Sequence, residues 1–255
     1  MLWYKSWLET RWRFLIGLVL LTLSACSTVY SYPQVVKLLP LAPKVELSGE
    51  IGRQLTEAIE LSRDYRGYVW SQWYRQNLLQ MWALFAMLLG TGGLLAQATG
   101  RGALFTLSLP ATRNRLLGVR AATALAELLV LAFVPSLLLT LLSPTIGEAY
   151  GIGDALVHGL CLFVAGTVFF SLAFLLSTVF SDVWRPWLIV ICVAIVLALF
   201  GLVLRDLSRY SIFGLMSGEV YFRGGRLPWL GLLATAAVSV ALLYAATRNL
   251  ARLDF

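Results

Sequence analysis

Apolar side chains are gathered into six long stretches, separated by segments in which polar and charged residues return. Each stretch is long enough to cross a bilayer as a helix, which takes roughly 17–25 residues. Inside hydrocarbon every backbone N–H and C=O must be satisfied within the segment, and a single run achieves this only as a helix. We therefore predict an all-α polytopic membrane protein with one transmembrane domain over residues 1–255. The six predicted transmembrane helices are 14–32, 78–99, 121–142, 155–180, 188–204 and 230–247.

The first 13 residues have an amphipathic pattern. Trp3 and Trp7 follow one stripe of a helix, while Lys5 and Glu9 follow another at a spacing of four residues. Aromatic residues on one face and charges on the other are typical of a helix that lies in the membrane interface. We predict that residues 1–13 form an interfacial elbow helix before the chain enters the bilayer.

Two segments are predicted outside the cytoplasm. Residues 33–77 open with prolines and continue into a helical pattern for which Ser48 is a suitable N-cap. Residues 205–229 mix glycines with large apolar side chains, which predicts an extracytoplasmic or re-entrant excursion. An aromatic cluster ends the first segment, and we interpret it as a belt at the headgroup level, with substrate binding as the alternative. The cluster consists of Tyr65, Tyr68, Trp70, Trp73 and Tyr74.

Composition excludes a separate soluble catalytic domain. Apolar residues make up 59% of the chain and charged residues 13%, against roughly 45–50% and about 25% in soluble domains. The net charge of +7 comes from basic residues scattered along the bilayer flanks, which indicates contact with lipid headgroups and not with nucleic acid. The density of Lys and Arg favours cytoplasmic placement of both termini.

Candidate catalytic and metal-binding residues are few. Cys26, Cys161 and Cys192 all lie inside apolar stretches without a metal or redox spacing. The single histidine, His158, is the only candidate for the base of a membrane hydrolase, although a hydrogen-bonded structural histidine is the commoner finding at such a position. The sequence therefore predicts neither a metal site nor an enzyme, and no cofactor held by this chain.

Glu127 is the one carboxylate well inside a predicted span. A charge at such a depth usually has a partner or faces water. Arg120 precedes it by seven residues on the same helical face, about 10 Å away by the helix rise, so a snorkelling Arg120 can approach it. We predict a structural intramembrane ion pair between Glu127 and Arg120, with proton or substrate coupling by Glu127 as the alternative.

Residues 100–120 form a predicted cytoplasmic loop that contains several apolar residues. A short helix with Leu104, Phe105 and Leu107 exposed to the cytoplasm has a physical reason only if another protein packs on it. Pro110 suits the first turn of the helix that becomes the third span. The motif that carries the strongest signal runs through Leu107, Ser108, Leu109, Pro110, Ala111, Thr112 and Arg113.

This motif resembles the Leu-Leu-Ser-x-Pro-[Val/Ile]-[Ser/Thr]-Arg pattern of the permease subunit of type 2 ATP-binding cassette (ABC) exporters. The interfacial elbow helix, the six spans and the outer excursion before the sixth span agree with that family in layout. The family often has an acidic residue ahead of the short helix, whereas this chain has Gln97 and the run 100–102 of Gly-Arg-Gly. The resemblance covers the whole chain in layout and about 25 residues by motif.

The resemblance implies a transmembrane subunit that exports an amphipathic substrate across the bacterial inner membrane. Two copies of a separate ATPase subunit would bind ATP and Mg, and a second permease subunit, identical or different, would complete the path. Residues 101–109 would be the coupling helix, with Leu104, Phe105, Leu107, Ser108, Pro110 and Arg113 at the ATPase contact. The alternatives are a channel or secondary carrier without an ATPase, a membrane-embedded enzyme and a structural scaffold.

The predicted topology is testable by cysteine labelling in intact cells. A cysteine placed at Ser48 should react with an impermeant maleimide from outside, while one placed at Ser108 should react only after permeabilisation, because residues 33–77 and 100–120 are predicted on opposite sides. Labelling in the reverse pattern would contradict the predicted orientation.

Overall fold

The computed structural model describes residues 2–38, 59–91, 113–180, 182–203 and 211–251. Within these ranges the regular elements are all helices. Six of the described helices are longer than ten residues: α1 (Leu2–Leu38), α3 (Leu78–Gly90), α4 (Arg113–Leu142), α5 (Ile152–Ser177), α6 (Trp184–Val203) and α9 (Trp229–Ala251). The short elements are a turn of helix at 59–63, α2 (Tyr65–Tyr68), a π-helix (Val69–Asn77), a 3₁₀ turn (Ser143–Ile146), α7 (Ile212–Ser217) and α8 (Glu219–Phe222).

Helix α1 is continuous over 37 residues, which corresponds to about 55 Å at 1.5 Å per residue. Residues 2–13 therefore run into the first apolar stretch without a break, and the structure does not separate them as an elbow helix. The helix also continues through Pro33 to Leu38. The predicted extracytoplasmic segment 33–77 thus begins as helix, and residues 39–58 lie outside the described part of the chain.

Residues 65–90 form one uninterrupted helical run in which α2, the π-helix and α3 follow each other directly. Trp70 and Trp73 in the π-helix are 1% and 0% exposed, so the aromatic cluster is packed inside the protein. The predicted aromatic belt at the headgroup level is therefore not what the structure has. The rings pack against α1, α5 and the α7–α8 hairpin, through contacts such as Tyr32 with Tyr65 and Trp70 with Phe222.

Helix α5 is the centre of the bundle. It packs against α3, α4, α6, α7 and α9, and it is the most buried of the long apolar helices. Small residues on α5 let its neighbours approach closely. Helix α1 packs mainly along α4 and α3, while α6 and α9 lie at the periphery and expose apolar side chains over much of their length.

Four described helices are long and apolar enough to cross a membrane: Leu2–Leu38, Arg115–Ile146, Ile152–Ser177 and Trp229–Asn249. These four contain most of the predicted spans 14–32, 121–142, 155–180 and 230–247. The other two predicted spans, 78–99 and 188–204, are described only in part, as α3 and as the shorter apolar helix Trp184–Phe200. Pro135 lies inside α4 as expected from its position in the third stretch.

Gly166 on α5 marks the closest approach between α5 and α3. A Cβ at this position would overlap the Trp82 ring and lie 3.0 Å from the Met216 methyl carbon. The Trp82 ring cannot move freely, because its indole N–H donates to the Leu128 carbonyl at 2.9 Å. The absence of a side chain at Gly166 is therefore required by the packing of three helices.

Gly166→Ala should lower the free energy of unfolding by about 1–3 kcal/mol, since overpacking a well-filled interior costs that much. Gly118→Ala is the matched control, because Gly118 on α4 has open space around it and alanine is favoured over glycine inside a helix by about 1 kcal/mol. Thermal unfolding of the two variants in detergent micelles checks this. A Gly166→Ala protein as stable as Gly118→Ala would show that α3 and α5 are not so closely packed.

Candidate functional site

Two clusters of polar side chains join different helices, one near each end of the bundle, while other buried hydroxyls such as that of Thr167 bond within their own helix. We call the end where α1 begins the proximal end and the end where α5 begins the distal end. Helix α1 meets the start of α4 and the end of α3 at the proximal end. At the distal end, the 65–77 stretch meets the 3₁₀ turn, the start of α5 and the α7–α8 hairpin.

The proximal cluster contains Glu127, which is 5% exposed. Its Oε1 accepts a hydrogen bond from the Thr10 hydroxyl at 2.5 Å, across the interface between α1 and α4. Its Oε2 is buried and has no hydrogen-bond partner among the described residues. Glu127 is therefore held on one side and has one oxygen available for a further interaction.

Arg120 lies about two helix turns before Glu127 on α4, but it pairs with a residue of α1. Its guanidinium NH1 is 3.9 Å from Glu9 Oε2 on α1, and the described ion pairs do not include one between Arg120 and Glu127. The predicted partners are thus each paired with α1, at consecutive positions Glu9 and Thr10. The physical reason is that α1 packs alongside α4 here. Side chains of α1 are therefore nearer to Arg120 and to Glu127 than these two residues are to each other along α4.

Arg13 extends the same junction to α3. Its NH1 donates to the carbonyl of Leu88 at 3.0 Å and to that of Thr91 at 3.4 Å. Both carbonyls belong to the end of α3, where four C=O groups lack intrahelical partners, and a cation there also matches the helix dipole. Arg13 therefore caps α3 immediately before residue 92.

The residues predicted to contact an ATPase lie mostly outside the described ranges. The described ranges do not include residues 92–112, which contain Leu104, Phe105, Leu107, Ser108 and Pro110. Arg113 is described only as the first residue of α4. Their predicted role stays a prediction. The described structure gives the two anchor points of this segment, the Arg13-capped end of α3 and the start of α4.

The distal cluster is built around one backbone carbonyl. The Ser217 carbonyl at the end of α7 accepts hydrogen bonds from the Trp70 indole N–H at 3.1 Å and from His158 Nδ1 at 3.0 Å. Because a carbonyl only accepts, His158 carries a proton on Nδ1, and the neutral ring leaves Nε2 as an acceptor. His158 is 0% exposed, and Nε2 has no partner among the described residues.

Two tyrosines share the environment of His158. The Tyr74 ring stacks on the imidazole with centroids 4.5 Å apart, and the Tyr150 ring lies 6.0 Å from Tyr74. Both phenol oxygens are buried without a completed hydrogen bond in the described structure. Burial raises the pKa of Tyr150 far above its usual range, so its phenol keeps its proton. The two phenols lie beside each other, and Tyr74 also lies beside Ser136, so His158 Nε2 is the atom of this group that has no described polar partner.

Asp154 joins three elements at the edge of this cluster. Its Oδ2 is 3.1 Å from Arg66 Nε on α2, and its Oδ1 accepts a hydrogen bond from the Tyr221 hydroxyl on α8 at 2.8 Å. This hydrogen bond, more than burial, raises the pKa of Tyr221, so the phenol remains a donor. The Asp154 side chain is 20% exposed, so these contacts lie between the protein interior and its surface.

Neither cluster has the arrangement of a known catalytic site. In the described ranges there is no group of three or more His, Cys, Asp or Glu side chains placed to hold a metal ion. His158 Nδ1 is bonded to a carbonyl and not to a serine or cysteine nucleophile. The described polar groups of both clusters tie different helices together.

Sequence patterns missed most of the distal cluster. The aromatic run was recognised, but its partners Asp154, Ser217 and Tyr221 come 80 to 150 residues later in the chain, beyond the reach of a local pattern. One signal was present: Asp154 and His158 are four residues apart at the start of an otherwise apolar stretch. Polar residues at that spacing lie on one helical face.

Comparisons with protein-family models, with curated proteins and with solved structures found no match to this chain.

Thr10→Val should destabilise the protein, because it removes the hydrogen bond to a buried carboxylate while nearly keeping the volume. Hydrogen bonds to charged groups contribute about 1.5–3 kcal/mol. In a Glu127→Gln background the same Thr10→Val change should cost less, since a neutral amide is easier to leave unpaired. Unfolding titrations of both singles and the double variant measure this coupling. Strictly additive effects would argue against the Thr10–Glu127 contact.

Proposed function

We propose that the chain is the permease subunit of a type 2 ABC exporter in a bacterial inner membrane. In this proposal it has six spans, an interfacial N-terminal segment, cytoplasmic termini and an extracytoplasmic α7–α8 hairpin. Two such permeases, identical or different, form the path for an amphipathic substrate. Two separate ATPase subunits bind ATP and Mg and perform the hydrolysis.

The observation that carries the proposal is the junction at the proximal end. Residues 92–112, where the coupling motif lies, are attached at one side to the end of α3 and at the other to the start of α4. Arg13 bonds the first anchor to α1, and the Glu9–Arg120 and Thr10–Glu127 contacts bond the second anchor to the same helix. A push on the segment between the anchors would therefore reach α1, α3 and α4 together.

This arrangement suits transmission of force into the bundle. The polar contacts are buried or half-buried, and they span three helices within a few residues of one another. Breaking any one would leave a buried charge uncompensated, which is costly. The helices therefore shift as a unit when the segment between α3 and α4 is displaced, which is what coupling of ATP-driven closure to transport requires.

Secondary transport without an ATPase is the second candidate, and one observation favours it. Glu127 keeps a buried oxygen unpartnered, as a carboxylate that exchanges protons during transport would. The two candidates differ in a simple respect: the purified chain alone would transport in response to a proton gradient in the second case. In the first case Glu127→Gln would leave ATP-driven export intact.

Leu104→Asp combined with Phe105→Asp should abolish binding of the ATPase and ATP-dependent export. Burying each such side chain at an interface contributes on the order of 1.5–3 kcal/mol, and charging both replaces that gain by a desolvation cost. Co-purification of an ATPase subunit encoded beside this chain, followed by its hydrolysis rate in proteoliposomes, measures the effect.

Leu41→Asp combined with Leu47→Asp is the matched control. These leucines lie in the segment predicted on the opposite side of the membrane, so two added carboxylates there should leave ATPase binding unchanged. Normal co-purification and export by the Leu104→Asp, Phe105→Asp protein would refute the coupling-helix assignment. Loss of binding in the control variant as well would indicate misfolding rather than a lost contact, and the single Phe105→Asp variant would then decide.

A further inference from the structure

The α7–α8 hairpin, residues 211–225, lies over the polar cluster at the distal end. Tyr221 on the hairpin packs edge-on against His158 with ring centroids 5.7 Å apart, on top of the imidazole that stacks on Tyr74. The Ser217 carbonyl takes hydrogen bonds from beneath, from Trp70 and His158. The hairpin therefore lies directly over His158, whose imidazole stacks on Tyr74.

The two halves of the hairpin are held differently. Helix α7 is fixed by burial, since Leu215, Met216 and Ser217 are all nearly inaccessible. Helix α8 has no buried residue, and it is attached through the Tyr221–Asp154 hydrogen bond and the stacking of Phe222 on Trp70 at 4.2 Å. The second half is thus held by a few contacts at the edge.

Glycines in the left-handed conformation stand at both ends of α8. Gly218 has φ +65° and Gly224 has φ +82°, values that other residues adopt only at a cost. A Cβ at Gly218 would also lie 2.6 Å from His158 Nδ1. Short helices between two such positions can rotate as rigid units, because hinges are a few residues at element ends that absorb changes in φ and ψ.

We propose that α8 is a hinged cover over the His158–Tyr74–Tyr150 cluster, and that Asp154 is the latch that holds it closed. Asp154 bonds to α8 through Tyr221 and is itself positioned by Arg66 on α2. When the latch opens, His158 Nε2, which has no described partner, and the phenol oxygens beside it become accessible to water or to the polar group of a ligand. That this opening releases an exported substrate rests on the proposed function; the latch itself does not.

The latch is testable on the purified chain, without an ATPase or a substrate. Ser217→Cys places a thiol at a position that is 2% exposed and next to the hinge, in a protein whose native cysteines are replaced by Cys26→Ala, Cys161→Ala and Cys192→Ala. The rate of its reaction with N-ethylmaleimide in detergent micelles reports how often the cover opens.

Asp154→Ala should speed labelling about tenfold, which corresponds to about 1.4 kcal/mol of lost latch stability. Tyr221→Phe, which removes only the hydroxyl oxygen, should give a smaller acceleration in the same direction. Glu219→Gln is the matched control: it removes a carboxylate from α8 that pairs with Arg223 on the same hairpin and makes no described contact with α5. Its labelling rate should equal that of the parent.

Labelling of both latch variants at the parental rate would overturn the proposal, and so would equal acceleration by all three variants. If Asp154→Ala fails to fold by circular dichroism, Tyr221→Phe decides alone. Because the assay contains no ATPase, a failed co-purification experiment would remove the exporter assignment while leaving the latch result intact.

Discussion

The structure depends on the constraint that polar groups in an apolar bundle must find partners within the chain. Long stretches of α1, α6 and α9 expose apolar side chains, and α5 packs against five other helices through a nearly apolar core. A buried hydrogen-bonding group left without a partner costs about 1–3 kcal/mol. Two clusters of polar side chains accordingly join elements that are far apart in sequence, while buried hydroxyls such as those of Ser136 and Thr167 bond to carbonyls of their own helix.

Helix α1 connects the two clusters. Near its beginning, Glu9, Thr10 and Arg13 bond to α4 and to the end of α3, and near its end Tyr32 packs between Tyr65 and Tyr68. A helix is stiff along its axis, because each turn is bonded to the next. Helix α1 is thus a continuous element that contacts residues of both clusters or beside them.

Hydropathy predicted the long helices well because length and apolarity decide them locally. The interpretation of the aromatic cluster as a headgroup belt is wrong, since Trp and Tyr are typical of membrane interfaces, whereas the Ser217 carbonyl and Phe222 ring that bury Trp70 lie some 150 positions away. The pairing of Arg120 failed for a related reason: spacing along one helix gives the distance to Glu127 but says nothing of α1, which supplies Glu9 and Thr10. Which residues bond across helices depends on how the helices pack, and a single sequence does not show that packing.

Both clusters contain buried polar atoms that have no described hydrogen-bond partner. At the proximal end, Ser6 Oγ, Arg11 Nε and Glu127 Oε2 lack a described partner, while Glu127 Oε1 and Arg13 bond across α1, α4 and α3. At the distal end, His158 Nε2 lacks a described partner beneath α8, which is held by the Tyr221–Asp154 hydrogen bond and by the stacking of Phe222 on Trp70. Native interiors contain few such groups. A group of this kind favours an open state in which water or a ligand bonds to it, and at the distal end the covering element is a four-residue helix held by the contacts of Tyr221 and Phe222.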